Sequence, residues 1–225
     1  EEERHSIALH EAGHATVSWF LQYANPLVKV TIVPRGKALG AAWYLPEERQ
    51  ITTTQALRDQ MCATLAGRAA EEVFLGRIST GAANDLEHTT KTAYAMVAYY
   101  GMSDKLPNVN YYDMQGDGYG LTKPYSDRTA ELIDEEAREI VRVEYERAKE
   151  LLREHAEGLK TLTQLLLDRE VIYTEDVEHI FGKRPWVSRT DKMILEREEK
   201  NQEKEQVQEE ESTTPTTDTE ATSNE

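Results

Sequence analysis

Apolar positions recur at three- and four-residue steps from about Glu3 to Tyr23, where Ile7, His10, His14, Val17 and Leu21 share one stripe and Asn25-Pro26 closes the pattern. That spacing predicts an amphipathic helix. Val28, Val30 and Ile32 then alternate with Lys29 and Thr31, a period of two that predicts a strand, followed by a Pro/Gly turn and a return strand ending near Leu45. Thr52 and Gln55 fit a capping box opening a second helix, with Leu57, Met61, Leu65, Ala69 and Val73 on one stripe and Gly76 as its stop. After the loop RISTGAAN another helix runs from about Asp85 to Tyr100, ended by Gly101. Between Gly101 and Ser126 the periodicity fades into a Gly/Asn/Asp/Tyr-rich stretch, a length of loop usually reserved for function or movement. Ser126 is placed to cap one long charged amphipathic helix; a further helix covers about Gly158 to Asp168, and Thr174 caps a short last one ending at Gly182. The expected fold is mainly α with one small β element.

At 225 residues and 39% hydrophobic the chain can fill one sizeable core, which predicts a globular domain over 1–187 and a tail over 188–225. A net charge of -16 excludes a nucleic-acid binder of the usual basic-faced kind. From Val187 to Glu225 twelve acidic residues face five basic ones, with almost no aromatics, so the tail is expected to be disordered and acidic. Cys62 is the single cysteine, which removes any internal disulfide framework, and its neighbours Leu57, Met61 and Leu65 mark it as a core thiol. There is no apolar run long enough to span a membrane, no signal peptide, and no glycine pattern of a phosphate-cradling loop.

The chemistry concentrates in SIALHEAGHATVSWFL. Residues four apart on a helix differ by only about 40° around the axis, so His10 and His14 project side by side and can both reach one metal ion. Glu11, about 100° further round, cannot share that position but can reach a water beside the metal. Two core histidines satisfied by ordinary hydrogen bonds are the bland alternative. Burying two unpaired imidazoles on an apolar stripe is costly, however, and one Zn²⁺ satisfies both.

A catalytic zinc usually takes three protein ligands, and local pattern leaves the third open. Glu47 and Glu48 follow a proline on an expected surface turn, and Asp59 falls on the polar side of its helix. Glu72 falls within the Leu57/Leu65/Val73 stripe, with an ion pair to Arg68 as its plain alternative, and Glu71 lies at the margin. Asp85 follows the small residues GAAN and opens a helix, where the N-terminal dipole favours an ionised carboxylate; His88, one turn on, is a rival.

Taken together and in order, HEAGH, PRG, GRAAEE and STGAAND resemble the peptidase domain of the FtsH family, membrane-anchored AAA+ zinc proteases of bacteria, mitochondria and chloroplasts. The likeness runs from about His5 to Trp186. It implies an ATP-dependent endopeptidase with one Zn²⁺ held by His10, His14 and Asp85, Glu11 as general base, and Glu71 or Glu72 supporting a ligand from behind. It also implies that the strand carrying Val30, Thr31, Ile32 and Val33 offers an open edge to an extended, unfolded polypeptide. Further implications are a ring of six, with the long helices after Ser126 as contact surfaces, and an inner membrane location facing the bacterial cytoplasm, or else the mitochondrial inner membrane. Family members carry transmembrane helices and an AAA+ ATPase module ahead of this domain, so the chain is expected to be a fragment, with ATP acting only through that module.

Two rival functions stand beside this one. A helical oligomerisation scaffold with a structural metal would have no need of Glu11. A zinc hydrolase of small amides would separate from an endopeptidase on a panel of unstructured peptides.

Overall fold

The computed structural model describes residues 1–34, 39–46, 50–111 and 125–187. The acidic tail, Glu47, Glu48 and most of the Gly/Asn/Asp/Tyr-rich stretch lie outside the described residues. Helix α1 spans Glu2–Phe20, ending where Leu21 turns to extended backbone rather than at Tyr23. Strand β1 (Leu27–Thr31) and strand β2 (Ala41–Tyr44) follow. Helix α2 (Thr54–Leu75) is capped by Thr53, one residue later than the pattern suggested, whose side chain accepts the Ala56 N–H; Gly76 ends it in the left-handed conformation. A 3₁₀ turn at Thr80–Ala82 leads into α3 (Ala83–Tyr94), whose last turn widens to a π-helix over Ala95–Tyr99. Helix α4 (Asp127–Glu154) begins at the expected cap, with the Ser126 hydroxyl accepting the Thr129 N–H.

Helix α5 covers Ala156–Arg169, and a three-residue strand β3 (Val171–Tyr173), which has no alternating pattern long enough to read, precedes α6 (Thr174–Phe181). Thr174 is the first helical residue rather than the cap. Its hydroxyl instead donates to the Leu27 carbonyl at 2.6 Å, tying α6 to β1, while the Asp176 carboxylate accepts the Tyr173 N–H. The sheet order is β2-β1-β3, both pairings antiparallel. Strand β1 is therefore central, and Val30 and Thr31 have partners on both sides. The open edge expected at Val30, Thr31, Ile32 and Val33 is not there: Val30 and Ile32 are buried, Ile32 donates its N–H to the Glu170 carbonyl, and the outer strands are β2, beside the cleft, and β3.

One core gathers α1, α2, α5, α6 and the inner face of the sheet around Leu9, Val17, Trp19, Leu162, Leu166 and Ile172. A second packs α3 and its π turn against α4 through Met96, Val97, Ile133 and Ile140, with Met61 of α2 beside them. Cys62 is fully buried, and burial pushes its thiol well up, as expected of a core thiol. Asp59 corrects an expectation. It is buried, accepts the Tyr23 N–H and the Gln55 amide, and pairs with Arg147 of α4 at 2.8 Å, because that helix covers the face taken to be polar. Where α1 meets α2 the backbones touch: a Cβ on Gly13 would lie 2.7 Å from the Ala66 carbonyl oxygen and 2.8 Å from the Ala70 Cβ. Small residues on both helices permit that approach, and it brings the α2 backbone up to the histidines.

Candidate metal centre

His10, Glu11 and His14 are all buried on α1, at 8%, 8% and 9% of full exposure. Neither imidazole is free to turn. The His10 Nδ1–H donates to Glu71 Oε1 at 2.7 Å, and the His14 Nδ1–H donates to the Ala63 carbonyl at 2.9 Å. With both Nδ1 atoms spent as donors, each Nε2 is left with a lone pair. The two Nε2 atoms face each other across 3.1 Å, and Asp85 Oδ2 stands 3.3 Å from one and 3.5 Å from the other. While both rings are neutral, these three lone-pair atoms cannot satisfy one another; a proton or a cation between them does. Four ligands set tetrahedrally about 2.0–2.1 Å from a zinc ion lie roughly 3.3–3.4 Å apart, so these spacings fit such an ion with one position left over.

Asp85 reaches the pair through Glu71. Its Oε1 holds His10, and its Oε2 accepts the Ser79 N–H at 2.8 Å, docking the start of the loop that carries Asp85. Ser79 then caps the 3₁₀ turn and α3 opens behind it. Glu71 thus joins both halves of the donor set, while Glu72 does not touch it. Glu72 is exposed and takes the Tyr145 hydroxyl at 2.5 Å and the Lys149 ammonium at 3.2 Å. The two adjacent acids differ because Glu71 points under α1 and Glu72 toward α4. His88 lines the same cleft but is not one of the three donors.

Without a metal, protons hold the charge. Burial opposes the His10 imidazolium, but hydrogen bonds to Asp85 and Glu71 and the Glu11 charge outweigh it, raising the pKa from 6.5 to about 9. Asp85 is held well below the usual carboxylate range: burial pulls it up, and the hydrogen bonds and charges of His10 and His14 more than reverse that. Glu11 moves the other way. Burial pushes its carboxyl up, and the His14 and His10 charges offset this only in part.

The cleft, about 990 Å³, runs along α1 from Glu3 past the histidines to Ser18, with Leu39, Gly40, Ala42 and Tyr44 as its opposite wall. Two glycines beside the donor set have a role that no motif marks. A Cβ on Gly67 would lie 2.5 Å from His10 Nε2, and one on Gly40 would lie 2.7 Å from Glu11 Oε1. Each presses bare backbone against a working side chain, and the only sequence signal is the run of small residues around them. Among the described residues no helix is long and apolar enough to cross a membrane.

Residues 1–180 match the model of peptidase family M41. The chain is 70% identical over 200 residues to the ATP-dependent zinc metalloprotease FtsH of Parabacteroides distasonis, covering 89% of this chain and 29% of that protein. It is 52% identical over 188 residues to the enzyme of the same name from Rhodothermus marinus, covering 82% of this chain and 27% of the relative. It is 46% identical over 189 residues to the mouse mitochondrial inner membrane m-AAA protease component AFG3L1, covering 84% and 24%. The chain therefore spans less than a third of the length of these relatives. On that match and these identities, it belongs to peptidase family M41.

Proposed function

We propose that this chain is the zinc endopeptidase domain of an ATP-dependent, membrane-anchored protease, with His10, His14 and Asp85 holding the metal. The observation that carries the reading is the convergence of two imidazole Nε2 atoms, whose Nδ1 partners are already committed, with one oxygen of the Asp85 carboxylate. A zinc ion in such a site supplies Lewis acidity, lowering the pKa of a bound water to about 7 and polarising a carbonyl. The protein's own residues do the rest. Glu11 accepts the proton of the attacking water and delivers it to the departing amine nitrogen. Its place beside the donor set is kept by Gly40, whose lack of a side chain lets the β2 backbone close over the carboxylate. Glu71 and the Ala63 carbonyl fix the ring tautomers, so both Nε2 lone pairs are left for one shared point between the rings. Tyr44, whose phenol burial and the Glu11 and Asp85 charges keep protonated against the Ser18 hydrogen bond, stands in the cleft wall as a donor.

An extended polypeptide adds to the free edge of β2, beside the donor set, so that backbone hydrogen bonds hold it whatever its sequence. The substrates are unfolded polypeptides, delivered by an AAA+ ATPase module in a ring of six at the inner membrane, cytoplasmic face in bacteria; that module is where ATP acts. Glu11→Gln tests the mechanism. The variant should keep its zinc and lose cleavage of an unstructured peptide; continued cleavage would refute the role of Glu11.

A further inference from the structure

Strand β2 presents different chemistry on its two faces. Ala42 and Tyr44 line the cleft, and Ala42 sits opposite Val30, itself opposite Ile172, in the row that faces the core. Trp43 belongs to the other face. There it pairs across the strands with Lys29, and Lys29 with Tyr173, giving a lateral row Tyr173–Lys29–Trp43 on the solvent side of the sheet. The row is open to water, with Trp43 46% exposed and Tyr173 53% exposed. Lys29 lays its ammonium 5.3 Å from the Trp43 ring centroid, a contact that ties the half-exposed indole to β1. Trp43 ends the row because, among the described residues, no strand lies beyond β2.

We propose that Trp43 is a specificity-determining residue that selects aromatic or large apolar side chains on the outward face of a bound polypeptide. This rests on the reading that substrate adds as a strand to β2. A fourth strand continues the row, placing one of its outward side chains directly opposite Trp43 while its neighbours enter the cleft. The ring, not the charge, does the selecting. The Lys29 ammonium is already engaged with the Trp43 ring, and a lysine would gain nothing from an apolar side chain placed opposite that ring. An aromatic side chain opposite an aromatic gains a contact that alanine lacks, a factor of roughly two to five in affinity. Selection would then come from outside the catalytic cleft, as a bias on residues that alternate with those inside it.

The test uses the zinc-loaded chain and alanine hexapeptides ending in a hydroxamate, which chelates the metal and fixes the register. Phenylalanine is moved through the peptide one position at a time and the Kd measured. The expected result is a gain of roughly two- to fivefold at one outward position, lost in Trp43→Ala, kept in Trp43→Phe, with the all-alanine peptide binding all three proteins equally. A gain that survives Trp43→Ala, or a flat scan, overturns the proposal while leaving the peptidase reading intact. If the hydroxamate peptides fail to bind, or bind Asp85→Ala as well as wild type, the peptidase reading fails and takes this one with it.

Discussion

Gly67→Ala is the sharpest test of how the donor set is held. The new Cβ would stand 2.5 Å from His10 Nε2 and 2.6 Å from its Cδ2 and Cε1, against an ordinary contact of about 3.5 Å or more. The ring has to retreat by about 1 Å, and the 2.7 Å bond to Glu71 behind it resists that movement. Two effects on stability oppose each other. Alanine in a helix interior is favoured over glycine by about 1 kcal/mol, while overpacking a close contact costs about 1–3 kcal/mol. The metal-free fold should therefore lose no more than about 2 kcal/mol. Zinc affinity has no such compensation, because the displaced atom is one of the proposed ligands. Disturbing the support of a metal-binding histidine costs about 10- to 100-fold, and moving the ligand atom itself belongs at the upper end. A 100-fold loss is about 2.7 kcal/mol of metal-dependent stability, so the rise in Tm with excess zinc should shrink by about 5–10 °C. Chelator competition gives the Kd and thermal unfolding with and without zinc gives the linkage. A folded Gly67→Ala protein binding zinc within threefold of wild type would show that His10 is not clamped between Gly67 and Glu71.

Other predictions follow from the same geometry. Asp85→Ala should cut zinc affinity far more than His88→Ala does, read by metal content after dialysis; equal losses would misplace the third ligand. Glu71→Gln should weaken zinc binding about 10- to 100-fold, since one amide cannot accept from both His10 and Ser79, whereas Glu72→Gln should leave it within about twofold. The metal-free chain should lose stability as pH rises. His10 has a folded-state pKa of about 9 against 6.5 unfolded, so its contribution, on the order of 3 kcal/mol, is complete below about 6.5 and gone above about 9. Urea unfolding with a chelator across that range measures it, and a stability that stays flat or increases would contradict the sign. Zinc, by taking the proton's place, should flatten the same profile.

Much of this arrangement was legible in the sequence where contacts are local. The 3.6-residue stripe of α1 placed His10, Glu11 and His14 correctly because four residues on a helix are neighbours in any fold. Ser126 and Gly76 were readable as helix ends because capping is satisfied within one turn. What failed was set by partners distant in the chain. The alternation of β1 predicts a strand but not its neighbours: the open edge was implied by the resemblance alone, β3 pairs with β1 from 140 residues away, and a three-residue strand carries no period of its own. Asp59 reads as solvent-facing until Arg147 of α4 arrives, an ion pair that no local window contains.

The third donor shows where that boundary lies. Asp85 had no local advantage over Glu71 or Glu72, and only the resemblance favoured it. The structure supplies the physical reason that pattern lacked: Glu71 turns one oxygen to His10 Nδ1 and the other to the Ser79 N–H, on the far side of the ring from Nε2, and the second of those bonds docks the loop that carries Asp85. Helical spacing ranks candidates by the direction in which they point. Choosing between them requires counting what each oxygen already accepts, and that count closes only when α1, α2 and the Ser79 loop are in place together. If the count is right, the two acids are not interchangeable: Asp85→Glu at the ligand position should retain measurable zinc in metal analysis, while Glu71→Asp, one methylene too short to span His10 and Ser79 at once, should lose affinity although the charge is kept. The opposite order would mean that Glu71, not Asp85, is the ligand.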